Sequence, residues 1–435
     1  MRAQRFSYGG FELAAQGLLS CRYRLDDQEF IERFDLPPGD WSSPHAQRAA
    51  RLVYLLAGVS YYKAGAPRLV VADVSLRPAE RHLLEDFYIR GLGEFAYRNG
   101  FDLSDLELRD NEEKDDETAI APPPRCGPLV PFGGGIDSIV TAEMVRACRE
   151  GTSLLVVSPP GAPYAAIDRA AQATGLPVVS VGRRLDPVLL EAGSYLTGHV
   201  PVTGILTALA TLVAVGTGRC AVVMSNEWSA SSGNLVIGSE VVNHQYSKSR
   251  DFEVAFSKAK TESLGDDPAV FSGLRPFSEL LIARRFASLT MYHDVFHSCN
   301  RAFAIDAGSR LDAWCARCDK CCFIDLVLAP FLSVQRLRSI FVGTEPLENP
   351  DLFESFATLV GMSENPKPFE CVGDVQECAV AASMAAQRDD RADNQNLARL
   401  AGVLPEPDDS LVEMLFEPRL PHDVPDDLLA AAALV

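Results

Sequence analysis

One short segment constrains the fold more than any other. Leu129-Val130-Pro131-Phe132 is an apolar run that enters three consecutive glycines, Gly133, Gly134 and Gly135, and Asp137-Ser138 opens a helical pattern over 139–150. A strand feeding such a loop and then a helix turns backbone N–H groups and a helix N-terminus toward one anion. Gly133, Gly134, Gly135, Asp137 and Ser138 are therefore candidate phosphate-binding residues. Asp137 is placed to hold Mg²⁺ on the phosphates, and Ser138 to cap the helix or donate to an oxygen. The Gly-Lys-Ser/Thr ending of a Walker loop is absent, and so is G-x-G-x-x-G. A tight strand–helix turn without a ligand is the alternative.

Strands and helices alternate after this segment. Leu154–Ser158, 178–181 and 221–225 read as apolar strands, separated by helical patterns from Tyr164 and Ile205. That rhythm predicts an α/β fold with a doubly wound parallel sheet and ligands beyond the strands' C-terminal ends. Residues 1–109 read as a smaller mixed α+β domain, in which 45–63 begins with a helix ending near Gly58. Residues 110–125 hold six carboxylates between Asp110 and Glu117 and three prolines at 122–124, the composition of a linker. The parallel domain is expected over 126–340, and a mostly helical extension over 341–435.

Lys plus Arg number 40 and Asp plus Glu 59, a net charge of −19, which argues against a nucleic-acid partner. No charged side chain occurs from Ala192 to Gly218, but the apolar core, 205–215, is about half of what a bilayer requires. A buried helix is expected there, with no membrane insertion. The first residues show no continuous apolar stretch, so no secretory signal is expected. Eleven cysteines, four of them within 315–322, suit a reducing compartment, and the protein reads as cytoplasmic.

Three further segments carry chemistry. Ser225, Asn226 and Glu227 follow the strand at 221–225, where a doubly wound sheet binds its ligand. His244, Tyr246, Lys248 and Arg250 gather imidazole, phenol, amine and guanidinium, groups for proton transfer and anion binding, unless the segment is an exposed polar loop. Glu227 and His244 are the first choices for proton transfer, and Arg250 is suited to fork onto a carboxylate or phosphate. Cys315, Cys318 and Cys321 form two successive Cys-x-x-Cys steps, with Cys299 available as a fourth ligand, Cys322 pointing away and structural Zn²⁺ the preferred ion. Iron–sulfur ligation or merely packed thiols are the alternatives.

The glycine loop resembles the S-G-G-x-D-S pyrophosphate (PP) loop of the N-type ATP pyrophosphatases, adenine nucleotide alpha hydrolase-like proteins, with Gly133 where the first Ser stands. Read with Gly58–Lys63, Gly91–Asn99, 225–227, 242–249, Ser298-Cys299-Asn300-Arg301 and 367–371, the set resembles the MurL family of UDP-MurNAc-L-Ala-L-Glu epimerases over roughly residues 5–380. The resemblance implies a PP-loop fold, ATP and Mg²⁺ as cofactors, and a UDP-muramoyl-dipeptide whose terminal L-Glu is inverted for peptidoglycan synthesis. Gly133, Gly134, Gly135, Asp137, Ser138, Ser225 and Asn226 would bind the nucleotide, and Tyr246, Arg250 and Arg301 the substrate. The resemblance assigns no catalytic residues; on side-chain chemistry and position, Asp137, Glu227, His244 and Lys248 are the catalytic candidates, with a structural role as the alternative for Glu227 and His244. Adenylating a carboxylate acidifies the adjacent α-proton, which explains why an epimerase would consume ATP. Two other readings stay open: an ATP-pyrophosphatase acting on a nucleobase or tRNA, as in 7-cyano-7-deazaguanine synthases, and a nucleotide-binding sensor without catalysis.

Overall fold

The structure is a computed structural model that describes residues 2–432 except 112–125, 192, 194, 238, 239 and 305. Of the linker expected at 110–125, residues 112–125 therefore lie outside the described residues. The strands are β1 (Arg5–Leu13), β2 (Leu18–Leu25), β3 (Gln28–Asp35), β4 (Leu69–Val71), β5 (Glu107–Arg109) and β6 (Leu129–Pro131), then β7 (Ser153–Ser158), β8 (Val178–Arg184), β9 (Ala221–Met224), β10 (Leu235–Ile237), β11 (Glu240–Val242) and β12 (Ala269–Ser272).

Ten of them form one mostly parallel sheet in the order β12-β9-β6-β7-β8-β3-β2-β1-β4-β5, while β10 and β11 pair separately as a hairpin. From β12 to β8 every pairing is parallel. β3 then docks antiparallel on β8 through Arg33↔Arg184 to Asp35↔Gly182. The N-terminal meander β1–β3 thus covers an edge that would otherwise expose unpaired backbone groups. In the parallel half, adjacent residues are both buried but on opposite faces: Leu129, Leu155 and Val222 pack into one core, and Val130, Leu154 and Val223 into the other. That two-sided burial is why these strands read as unbroken apolar runs.

Helices Pro44–Ala57, Val202–Gly216 and Arg250–Leu264 cover the first face. Helices Ile136–Cys148, Glu279–Ser288, Asp319–Leu328 and Val375–Ala386 cover the second. The uncharged stretch forms Val202–Gly216, packed against Pro44–Ala57. At 1.5 Å per residue its 15 residues span about 22 Å. Among the described residues no helix is long and apolar enough to cross a membrane. The aromatic residues of Gly58–Lys63 are core: Tyr61 stacks on Tyr23 at 4.9 Å and Tyr62 meets Tyr88 edge-on at 4.4 Å.

The glycine loop joins β6 to helix Ile136–Cys148, with Gly135 as its N-cap. Gly134 has φ +75°, and a Cβ there would lie 3.1 Å from the Ala166 carbonyl and 3.2 Å from Ile167 Cα. Gly133 is exposed with open space around it. Gly134→Ala is therefore expected to lower unfolding stability by about 1–2 kcal/mol, the usual cost of a left-handed non-glycine residue. Gly133→Ala should be nearly neutral. Urea unfolding of the two variants checks the contrast, and equal losses would contradict it.

Candidate active site

β6 continues to β7 on one side, while its other neighbour, β9, arrives only after two more crossovers. The chain's direction of winding reverses between β6 and β9, and a doubly wound sheet opens its ligand crevice at such a point. A cavity of about 350 Å³ lies there. Its polar side is made by Gly133, Gly135, Asp137 and Ser138 after β6, and by Ser225 and Asn226 after β9. Lys248, Ser298, Asn300, Lys320 and Cys371 complete that side, while Leu155, Val157, Ile167, Leu206 and Phe303 form an apolar one. Ser138 Oγ donates to the Gly135 carbonyl at 3.0 Å, bracing the loop. Asn226 Nδ2 donates to Ser272 Oγ at 2.9 Å and ties the ends of β9 and β12 together.

Carboxylate oxygens of Asp137, Glu227 and Glu279 all lie within 4.8 Å of one another. Asp137 and Glu279 each sit in the first turn of a helix, where the macrodipole favours negative charge. Glu227 is 1% exposed and neither of its carboxylate oxygens has a hydrogen-bond partner. Two unit charges at this separation repel by about 3–4 kcal/mol at an effective dielectric of ~20, so three ionised groups need a counter-charge. Burial and Glu227 push Asp137 up to about 6, and burial with Asp137 and Glu227 pushes Glu279 well up. Oxygen-only donors, closely spaced and partly orphaned, fit a hard divalent cation such as Mg²⁺.

Arg275, 2% exposed, braces the backbone of Glu227. Its guanidinium donates to the Glu227 carbonyl at 2.6 Å, the Lys248 carbonyl at 2.5 Å and Glu253 Oε2 at 3.0 Å. One planar fork therefore sets the backbone of two cleft segments.

Lys248 Nζ lies 3.3 Å from Cys371 Sγ. The His244 ring also neighbours Cys371, and its Nδ1 bonds Glu94 of helix Gly93–Asn99. Burial opposes charge on His244, but those two partners outweigh it and raise the imidazole to about 9. His199, whose ring centroid is 4.2 Å from that of His244, is driven down to about 3 by burial and by its charged neighbour. Burial alone would raise the Cys371 thiol; Lys248, His244 and Lys320 instead bring it down to about 6.

Cys299, Cys315, Cys318 and Cys321 bring their sulfurs within 4.8 Å of one another, with Cys315–Cys321 at 3.6 Å and Cys318–Cys321 at 3.5 Å. A tetrahedral ion with bonds of ~2.3 Å would set sulfurs about 3.8 Å apart, so the quartet fits zinc. Cys322 is buried outside the quartet. The quartet ties together two segments that face the cleft, one bearing Ser298 and the other Lys320.

Three expected substrate residues lie elsewhere. The Tyr246 hydroxyl donates to Asp86 at 3.2 Å and its ring carries Arg90 at 4.6 Å. Arg250 pairs with Glu253 at 2.8 Å and Asp423 at 2.5 Å. Arg301 is exposed, and none of the three lines the cavity. Glu279, Lys320, Arg275 and Cys371 were not picked out from sequence. Lys320 stands inside the cysteine run and Cys371 ends Lys367-Pro368-Phe369-Glu370-Cys371, so both had a readable signal; Glu279 and Arg275 had none.

The model of the MurL N-terminal domain matches residues 1–273, which hold the twelve strands found among the described residues, and that of the MurL C-terminal domain matches 295–414. The chain belongs to the MurL family. It is 39% identical over 389 residues to the UDP-N-acetyl-alpha-D-muramoyl-L-alanyl-L-glutamate epimerase of Salinispora tropica, covering 87% of this chain and 83% of the relative. Identically named proteins of a Micromonospora species and of Xanthomonas oryzae pv. oryzae are 38% and 36% identical. Those matches cover 94% and 95% of this chain and 92% and 93% of the relatives. No solved structure matches. Of the family segments, Gly91–Asn99, 225–227, 242–249 and 367–371 each bring a side chain to the cleft or to the groups behind it.

Two outcomes follow from the donor sets. Mg²⁺ at a hundred times its Kd should stabilise the protein by about 2.7 kcal/mol, and Glu227→Gln should abolish most of that gain. Without the ion, Glu227→Gln should be more stable than wild type, by roughly 1–3 kcal/mol, because it removes one repelling charge. Thermal melts with and without Mg²⁺ measure both effects. Elemental analysis should find close to one zinc per chain, lost in Cys318→Ser; a zinc-free wild type would contradict the quartet's reading.

Proposed function

We propose that this chain is an ATP-dependent epimerase of the cytoplasm that inverts the terminal L-glutamate of UDP-MurNAc-L-Ala-L-Glu, releasing AMP and pyrophosphate, for peptidoglycan synthesis. The observation that carries the reading is the similarity, over most of both chains, to three relatives named as that epimerase. The cleft supports it chemically. We read the glycine loop as a PP loop, supported by its place at the switch point beside β6 and β9 and by the left-handed turn at Gly134.

Removing the α-proton of a free carboxylate creates a dianion, which is prohibitively costly. Joining that carboxylate to AMP as a mixed anhydride removes the first charge and makes the α-proton far more acidic. The loop and the first turn of helix Ile136–Cys148 would cradle the phosphates, with Lys248 and Lys320 balancing their charge. Leu155, Val157 and Ile167 offer the apolar wall that a nucleobase requires. Asp137, Glu227 and Glu279 would hold Mg²⁺, which when bound supplies neutralisation of the phosphate charge. The four cysteines would hold a structural zinc that keeps Ser298 and Lys320 in place.

Incubation with ATP, Mg²⁺ and UDP-MurNAc-L-Ala-L-Glu, followed by chiral analysis of the released glutamate, tests the reading. D-glutamate is expected, and glutamate that stays wholly L refutes it. Asp137→Ala should lose pyrophosphate release by at least roughly 10²-fold with its circular dichroism unchanged.

A further inference from the structure

We propose that Cys371 is a catalytic residue, the base that takes the α-proton from the terminal L-glutamate; this rests on the epimerase reading above. Cys371 lines the same cavity as Gly133, Gly135 and Asp137, so an acyl group activated on the loop lies in the space its sulfur faces. The thiol is not alone. Lys248 Nζ is 3.3 Å from Sγ, the His244 ring neighbours it, and Lys320 Nζ bonds the Cys371 carbonyl and fixes the backbone that carries it. Glu94 holds His244 from behind.

The neighbours divide the protonation states. Burial works against charge on Lys248, yet Cys371 and Glu227 raise it, so the amine stays a cation. His244 is likewise held protonated by Cys371 and Glu94. Neither can accept a proton at neutral pH, and each stabilises an anion on the sulfur between them. Glu227 belongs to the carboxylate trio with Asp137 and Glu279, where a cation would claim it. Cys371 is left as an anionic base that is already deprotonated near pH 7 and sits in the cleft. The groups facing it are Lys248 and His244 from the segment after β11, Lys320 from helix Asp319–Leu328, and Asp137 from helix Ile136–Cys148.

In the step, the thiolate takes the α-hydrogen as a proton and becomes S–H. The C–H electron pair stays on the substrate, delocalised onto the carbonyl oxygen of the activated acyl group. A proton from water delivered to the opposite face of the α-carbon gives the D centre, and the sulfur's proton is lost to water, which restores the thiolate. Water then cleaves the acyl–phosphate bond to release the carboxylate and AMP. A thiolate suits this task because the Lys248 cation beside it stabilises its charge and its conjugate acid exchanges quickly with water.

The experiment compares wild type with Cys371→Ser in D₂O containing ATP, Mg²⁺ and UDP-MurNAc-L-Ala-L-Glu. Cys371→Ser should still release AMP and pyrophosphate, while α-deuterium incorporation falls roughly 100-fold or more. Incorporation at the wild-type rate overturns the proposal, and so does an acyl adduct on Cys371, which would make it a nucleophile. A wild type that releases no AMP and incorporates no deuterium refutes the epimerase reading instead. An activity-independent arm follows iodoacetamide alkylation of Cys371 by peptide mass spectrometry across pH. Its midpoint should lie near pH 6 in wild type and move toward the ordinary thiol range in Lys248→Met. A wild-type midpoint already in the ordinary range overturns the proposal whatever the activity.

Discussion

The mutual repulsion of three carboxylates, Asp137, Glu227 and Glu279, organises this molecule's centre. They occupy the switch point of a parallel sheet, where no protein hydrogen bond relieves the Glu227 carboxylate. The surrounding structure holds them there regardless. Two helix N-termini point at the trio, Arg275 locks the Glu227 backbone, and Lys248 and Lys320 stand across the cavity. Such an arrangement is costly for an empty protein and favourable for one that takes up a cation with an anionic ligand. It is the signature of a binding centre rather than of a stabilising core.

The second organising fact is convergence. Glu94 comes from the N-terminal segment, Asp137 and His244 from the middle of the chain, and Cys371 from beyond the parallel sheet. They form a continuous path from the Glu94 carboxylate through His244 to Cys371 at the cleft wall. A site assembled from three distant stretches requires all of them in register. The continuous ten-stranded sheet supplies that register, since β3 on β8 fixes the N-terminal segment against the parallel half. Similarity to the family over nearly the whole chain is consistent with this shared construction.

Much of the parallel half was readable from sequence because two-sided burial writes itself as apolar runs. β6, β7, β8 and β9 and the helices between them fall where the alternation puts them. β12 escaped, since Ala269–Ser272 is short and follows a polar stretch. The antiparallel join of β3 to β8 has no local signature at all. At the site, the glycine loop and the cysteine quartet are contiguous or nearly so, and spacing alone brought them forward. Glu279 and Arg275 act only through tertiary placement, which no local pattern encodes. Arg250 and Tyr246 show the converse: chemically apt residues beside the cleft segment whose side chains are spent on Glu253, Asp423 and Asp86.

In the proposed reaction the cleft activates a carboxylate by joining it to AMP. The direct measurement uses UDP-MurNAc-L-Ala-L-Glu labelled with ¹⁸O in the α-carboxylate of its terminal glutamate, with ATP and Mg²⁺, and mass analysis of the AMP released. Hydrolysis of an acyl-adenylate at its carbonyl carbon leaves the bridging oxygen on phosphorus. AMP carrying one ¹⁸O is the predicted result. AMP formed without label while the glutamate centre inverts would contradict the account.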